Sequence, residues 1–168
     1  MIKTNLAYLA GLIDGEGYIG IKRSKPYAPN GELSVKYHAR IQVRMVEEAG
    51  IKLLQETLGG SYYREKGHCK NGRLLYCYQA SDKLAVMIIK SLLPYLRIKN
   101  RQSELVIELG KLKENSHQYR TKLSSIIDIK HRSGKMMKVR RFSYSDEFVS
   151  HCNSLWQKCC QLNRVGYL

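Results

Sequence analysis

Hydrophobic residues recur at helical spacing from the first residues of the chain. Leu6, Leu9 and Ile13 form one apolar stripe and predict a helix over 3–14. A second row, Ala7, Gly11 and Gly15 at i, i+4 and i+8, is small rather than large. Small residues let two helix backbones approach closely, so this helix has a core on one side and room for a close neighbour on the other. Gly17–Ser24 then reads as a strand, and the turn-rich SKPYAPNGEL, with Asn30-Gly31, leads into Val35–Arg44. There the alternation is strict. Val35, Tyr37, Ala39, Ile41 and Val43 fall on one face, and Lys36, His38, Arg40, Gln42 and Arg44 on the other.

Further along, Glu47–Leu58 has acids in its first turn, apolar Ile51, Leu54 and Leu58, and Gly59-Gly60 as a stop; it predicts a helix. Ser61–Lys66 and Arg73–Ala80 flank GHCKNG as a second hairpin. Ser81 caps a helix ending before Pro94, and Lys99–Leu112 is another. The tail reads as helical around Tyr119–Ile129 and Asp146–Leu162, with a basic connection, KHRSGKMMKVRR, between them. The expected order is αββαββα followed by C-terminal helices. This is an α+β chain with a four-stranded antiparallel sheet, helices on one face and the other face open. One domain over 1–168 is expected, with its core in 1–112 and a helical and basic-loop region in 113–168.

Charge sharpens the picture. Lys and Arg number 29 against 14 acids, a formal net charge of +15, and a globular chain this basic expects a polyanion. The predicted open face carries Lys22 and Ser24 on the first strand and Lys36, His38, Arg40, Gln42 and Arg44 on the second. To these the alternation adds Tyr62, Arg64 and Lys66 on the third strand and Tyr76 and Tyr78 on the fourth. No acid belongs to this set, and its donors and acceptors suit base edges read by a β-ribbon in the major groove. A ten-residue strand spans ~33 Å, or roughly 10 base steps. The basic stretch, with Lys130, Arg132, Lys135, Lys138, Arg140 and Arg141, reads as a flexible grip on phosphates; a plain solvated loop is the alternative. No apolar run is long enough to span a bilayer, and the N-terminus lacks the pattern of a secretory leader, so no membrane partner is expected. Five cysteines without a CxxC pair fit a reducing, intracellular compartment better than disulfides. Cys159 and Cys160 are adjacent, which makes a zinc site with His151 and Cys152 poor.

One residue resists a structural explanation. Glu16 follows the first helix, where unsatisfied carbonyls already carry about −0.5 charge. A divalent cation held by Glu16 and nearby carbonyls would resolve the conflict, and two copies of Glu16 meeting across paired smooth stripes would clamp ions for attack on a phosphodiester. A solvated glutamate in a turn after a core helix is the plain alternative.

Residues 9–17, LAGLIDGEG, closely resemble the motif of the LAGLIDADG homing endonucleases. The resemblance extends to the αββαββα order, to Ile41–Val43 within the second strand and to PYLRIKNRQ at Pro94–Gln102, and only weakly to the C-terminal helices. It implies a homodimer whose motif helices meet through Ala7, Ala10, Gly11 and Asp14. It further implies a saddle-shaped sheet on a long, nearly palindromic double-stranded DNA site, cut on both strands across the minor groove to promote mobility of an intron or intein. Glu16 is then the Mg²⁺ ligand and a catalytic residue, with Mn²⁺ as a substitute ion, and Gly15 ligates through its carbonyl. Asp14 helps the helix-end packing, and Lys99 is the catalytic pocket lysine. Met45 and Ala49 stand where relatives often place polar residues that order water; Arg44, Glu48 or Gln42 would have to substitute. A cleavage-deficient regulator, or a maturase of its own intron RNA, is therefore the second reading. A purely structural basic protein is a distant third.

Overall fold

The computed structural model describes residues 3–24, 35–65, 74–130, 134 and 136–164. Helix α1 (Lys3–Glu16) runs into β1 (Gly17–Ser24), and β2 (Lys36–Met45) pairs antiparallel with it, Lys22 opposite His38 and Gly17 opposite Val43. Helix α2 (Glu48–Leu58), β3 (Ser61–Glu65) and β4 (Leu75–Ser81) follow. The sheet order is β1-β2-β4-β3, antiparallel throughout. Helices α3 (Asp82–Leu92) and α4 (Asn100–Glu114) complete the expected αββαββα order. The asparagine-glycine turn at 30–31 and the GHCKNG turn lie outside the described residues.

Alternation explains the layering. Tyr37, Ala39, Ile41 and Val43 of β2 turn inward with Ile19 and Ile21 of β1 and Tyr78 and Ala80 of β4. They meet Leu9 and Ile13 of α1, Ile51 and Leu54 of α2, Ile88 and Ile89 of α3 and Val106 and Leu109 of α4 in one core. Each fully buried aliphatic side chain contributes about 1.5–3 kcal/mol relative to leaving it exposed. Helix α1 passes into β1 without an intervening turn, so Glu16 is its last helical residue rather than the first beyond it. Gly17 permits the join: a Cβ there would lie 2.6 Å from the Ile13 carbonyl oxygen. Gly59 and Gly60, both at positive φ, end α2 as expected. Ser81 precedes α3, but its side chain makes no capping bond.

The C-terminal region departs from expectation. Residues expected to be helical around 119–129 form strand β5 (Arg120–Lys130), and the basic connection returns as β6 (Met136–Tyr144). The two pair as a separate antiparallel ribbon, Ile126 opposite Arg140 and Asp128 opposite Lys138. The physical reason is local. Ile126, Ile127 and Ile129 are β-branched, which favours extended backbone, and the partner strand supplies the hydrogen bonds that neither segment satisfies alone. The base of the ribbon is closed by the Ser145 N–H donating to the Tyr119 carbonyl at 2.9 Å. Phe148 of α5 (Asp146–Arg164) packs there between Tyr119 and Tyr144, with ring centroids 5.3 and 4.9 Å away. Helix α5 then returns to the core through Cys152, Leu155 and Cys159. Asn163 donates to the Ile19 carbonyl, and the Tyr37 hydroxyl to Asn153. No helix among the described residues is long and apolar enough to cross a membrane.

Candidate nucleic-acid interface and catalytic site

The sheet's second face is not covered by helices. Lys22 and Ser24 from β1, and Lys36, His38, Arg40, Gln42 and Arg44 from β2, share it as expected. The other half of the expected set does not. Register decides the point: Val43 faces the core, and Tyr78 is its direct partner on β4. Tyr78 is therefore fully buried against the helices, and burial pushes its hydroxyl up to about 12. Tyr76, Tyr62 and Arg64 follow Tyr78 in register onto that side. Tyr62 stacks on Tyr76 and donates to the Glu48 carboxylate of α2. A one-residue change of phase moves every side chain of a strand to the opposite face. Lys66 lies outside the described residues.

In their place stand residues that the sequence reading missed. Cys77, Gln79 and Ser81 of β4 sit opposite Arg44, Gln42 and Arg40, and Tyr63 and Glu65 of β3 extend the same face. The signal was present in β4, where polar Gln79 and Ser81 alternate with buried Ala80 and Tyr78; in β3, SYYRE has no such bias. The face also holds two carboxylates, contrary to the acid-free set expected. Glu65 pairs with Arg44 at 2.9 Å. Asp82 accepts from His38 Nδ1 at 2.8 Å and from Lys113 Nζ at 2.5 Å. Arg40 donates to Gln79. A shallow hollow of about 340 Å³ lies at the β1 edge among Tyr18, Lys22, Arg40, Gln42 and Trp156, and the Arg23 guanidinium stacks on Trp156 at 4.9 Å.

The basic stretch lies on the β5–β6 ribbon. Lys138 is exposed on β6; Lys130, Arg140 and Arg141 belong to the paired strands, and Arg132 and Lys135 lie outside the described residues.

At the far end of α1 the motif makes a compact site. The buried Asp14 carboxylate accepts three backbone N–H bonds, from Arg97 at 2.7 Å, Ile98 at 3.2 Å and Lys99 at 3.0 Å. This ties the end of α1 to the start of α4 within the chain. Lys99 reaches back so that its ammonium donates to the Asp14 carbonyl oxygen. Burial pulls its pKa below the ordinary lysine value, and the Asp14 and Glu16 charges oppose that pull. Gly15 and Glu16 are exposed beside it. Ala7, Gly11 and Gly15 form an exposed stripe with Tyr8, and a Cβ at either glycine would meet nothing within 4 Å. Ala10 is not part of that stripe: it is fully buried in the protomer's own core, as Asp14 nearly is, because both lie on the helix face turned toward the sheet. Met45 packs against Gly50. Arg44 is held by Glu65, and Glu48 by Tyr62 and by Lys52 at 3.3 Å.

Cys152 and Cys159 face the core, and burial pushes both thiols up to about 11. Among the described residues no group of three or more His, Cys, Asp or Glu side chains is placed to hold a metal ion. At the end of α1 the exposed carboxylate of Glu16 stands with neighbouring carbonyls. That donor set suits a hard ion that keeps its waters and takes further oxygens from elsewhere, as Mg²⁺ does.

With its open, basic, hydrogen-bonding sheet face and an exposed acid at the end of a smooth helix, the chain is an α+β protein whose uncovered face suits a polyanion. The comparisons give the family. The LAGLIDADG endonuclease family matches residues 9–114, and the chain belongs to the LAGLIDADG homing endonucleases, enzymes that cut DNA at specific sites. The homing endonuclease I-CvuI, in complex with the I-CreI target and Mg, superposes with a TM-score of 0.64 at 17% identity, covering 95% of this chain and 82% of that one. The archaeal intron-encoded I-Vdi141I, complexed with DNA, gives 0.64 at 14%, covering 95% and 84%. The group I intron-encoded I-CeuI, also complexed with DNA, gives 0.54 at 18%, covering 70% and 59%. At these identities the likeness is one of fold. No curated protein matches the chain.

Proposed function

We propose that the protein works as a homodimer that cuts both strands of a long, nearly palindromic DNA site in the presence of Mg²⁺ or Mn²⁺. The observation that carries this reading is Glu16, exposed at the end of the Ala7–Gly11–Gly15 stripe with the Lys99 ammonium beside it. Packing that stripe on its symmetry mate brings two Glu16 carboxylates together. Each is repelled by the carbonyl end of its own helix, and the pair gains most from cations placed between them. A bound Mg²⁺ supplies Lewis acidity at the phosphate and a more acidic water. Glu16, with the Gly15 carbonyl, would hold it. Lys99, fixed by the Asp14 carbonyl, places positive charge where charge builds on the phosphate. The two sheets lie in successive major grooves, and Lys22, Ser24, Lys36, His38, Arg40, Gln42 and Arg44 meet base edges while the ribbon holds backbone phosphates. The related complexes hold DNA in the presence of Mg, with the DNA not cleaved, or of Ca, which supports the partner and is consistent with a divalent ion. Cleavage at an intron or intein insertion locus is the role this activity serves, in a reducing compartment where the cysteines stay free.

A second reading, a cleavage-deficient regulator or a maturase of its own intron RNA, draws on one specific feature. Met45 and Ala49 offer no polar side chain to a water network, and Arg44 and Glu48 are already paired. Glu16→Gln decides between the two. Cleavage of the uninterrupted insertion locus with Mg²⁺ should fall at least about 100-fold, with DNA affinity kept. A wild-type chain that binds the locus and never cuts it supports the regulator or maturase.

A further inference from the structure

Asp82 is the one non-glycine among the described residues at positive φ, 51°. Single left-handed residues of this kind cost energy and persist where their surroundings over-determine them. Its surroundings do so. β4 ends at Ser81, opposite Arg40, and the left-handed step turns the Asp82 carboxylate toward the sheet edge. One oxygen, Oδ2, accepts from His38 Nδ1 at 2.8 Å on the open face. The other, Oδ1, accepts from Lys113 Nζ at 2.5 Å, and the same ammonium donates to the Tyr37 carbonyl at 3.0 Å. The carboxylate is held ionised: its pKa lies below the ordinary value, because bonds from Lys113 and His38 outweigh the burial that acts the other way.

An ionised carboxylate accepts and never donates. Its contact with Nδ1 therefore requires the proton on Nδ1, and in a neutral imidazole that leaves Nε2 as an acceptor. Among the described residues nothing is bonded to Nε2, and the side chain is 36% exposed on the face opposite the helices. Its companions there, Lys22, Lys36 and Arg40, are donors only. Building on the DNA reading above, we propose that Asp82 and Lys113 lock His38 into the Nδ1–H tautomer, so that Nε2 reads a base bearing an exocyclic amino group. Adenine N6 and cytosine N4 are those groups in the major groove; guanine and thymine show acceptors. Asp82 is a positioning residue and His38 a specificity residue; neither enters the cleavage step.

Lys113 makes the proposal testable by one atom. In Asp82→Asn the ammonium holds the amide oxygen, so the amide N–H₂ faces His38 and must donate to Nδ1. The proton moves to Nε2, which becomes a donor. Asparagine also tolerates left-handed backbone, so the fold is kept. Long-range ¹H–¹⁵N correlation spectra of the DNA-free protein at pH 8.5, with His38 assigned by its loss in His38→Gln, should show the Nδ1–H form in wild type and the Nε2–H form in Asp82→Asn. Selection from a pool of random-sequence duplex DNA should then give consensus sites differing at one base pair per half-site. Adenine or cytosine should give way to guanine or thymine, with a change of about tenfold in preference. The Nε2–H form in wild type, or an unchanged consensus in Asp82→Asn, overturns the proposal alone. Failure of the wild-type chain to enrich any sequence overturns the DNA reading, and this proposal with it. Asp82→Gly, which keeps the backbone and removes both bonds, should weaken the preference at that base pair without reversing it; full retention there also refutes the lock.

Discussion

Two carboxylates within three residues of each other have opposite roles because of where their charges sit. Asp14 is buried and has three backbone N–H donors; Glu16 is exposed and faces the repulsive end of its helix. Asp14→Ala leaves those donors without their acceptor and should cost about 2–4 kcal/mol, read as a lower urea midpoint at unchanged slope. The motif's resemblance implies this division, but not its means, since the donors come from residues more than eighty positions away. Asp82 adds a pH signature. Its folded-state pKa lies below the ordinary 3.8, so its contribution to stability is present above that value and is lost as pH falls through the folded one. The gap in urea midpoint between wild type and Asp82→Asn should close below about pH 4.

At the scale of elements, α1 has two separate apolar surfaces. Leu9, Ala10 and Ile13 hold it to its own core; Ala7, Tyr8, Gly11 and Gly15 face outward. Gly11→Leu meets nothing within the protomer and replaces a poor helix former, so thermal stability of the protomer should hold or rise. Sedimentation should nonetheless show loss of the proposed dimer, because the added side chain stands where that dimer places the second helix. What could be read from the sequence followed the strength of periodicity. β2 alternates over its whole length, and the two faces its alternation predicts are the two faces observed. β3 carries tyrosine on both phases, Tyr62 and Tyr63, and in β4 Tyr76 and Tyr78 share one phase as amphipathic side chains that suit either face. The polar Gln79 and Ser81 point to the answer, and pairing with β2 fixes it. The β5–β6 ribbon was hidden for a related reason: each strand looks irregular alone, and its extended form depends on a partner that no local pattern names. The acids at 65 and 82 likewise reach the open face through register and a left-handed turn, neither of which composition reveals.

The whole molecule joins a compact core to a basic ribbon whose two ends lie one hydrogen bond apart, Ser145 to Tyr119. Replacing residues 120–144 with a short glycine-rich turn should therefore preserve the core. DNA binding should weaken, and the slope of log K against log salt should become shallower by about 0.9 for each phosphate contact removed; an unchanged slope would assign the ribbon no part in binding. The central claim is that two chains bring Glu16 together over one duplex. It is tested most directly by the crystal structure of the protein with its selected DNA and Mn²⁺, located by anomalous scattering. The account predicts two protomers per duplex, and manganese between the two Glu16 carboxylates and the scissile phosphates, with Glu16 oxygens about 2.1 Å from the ion. A single protomer on the duplex, or manganese sites remote from Glu16, would contradict it.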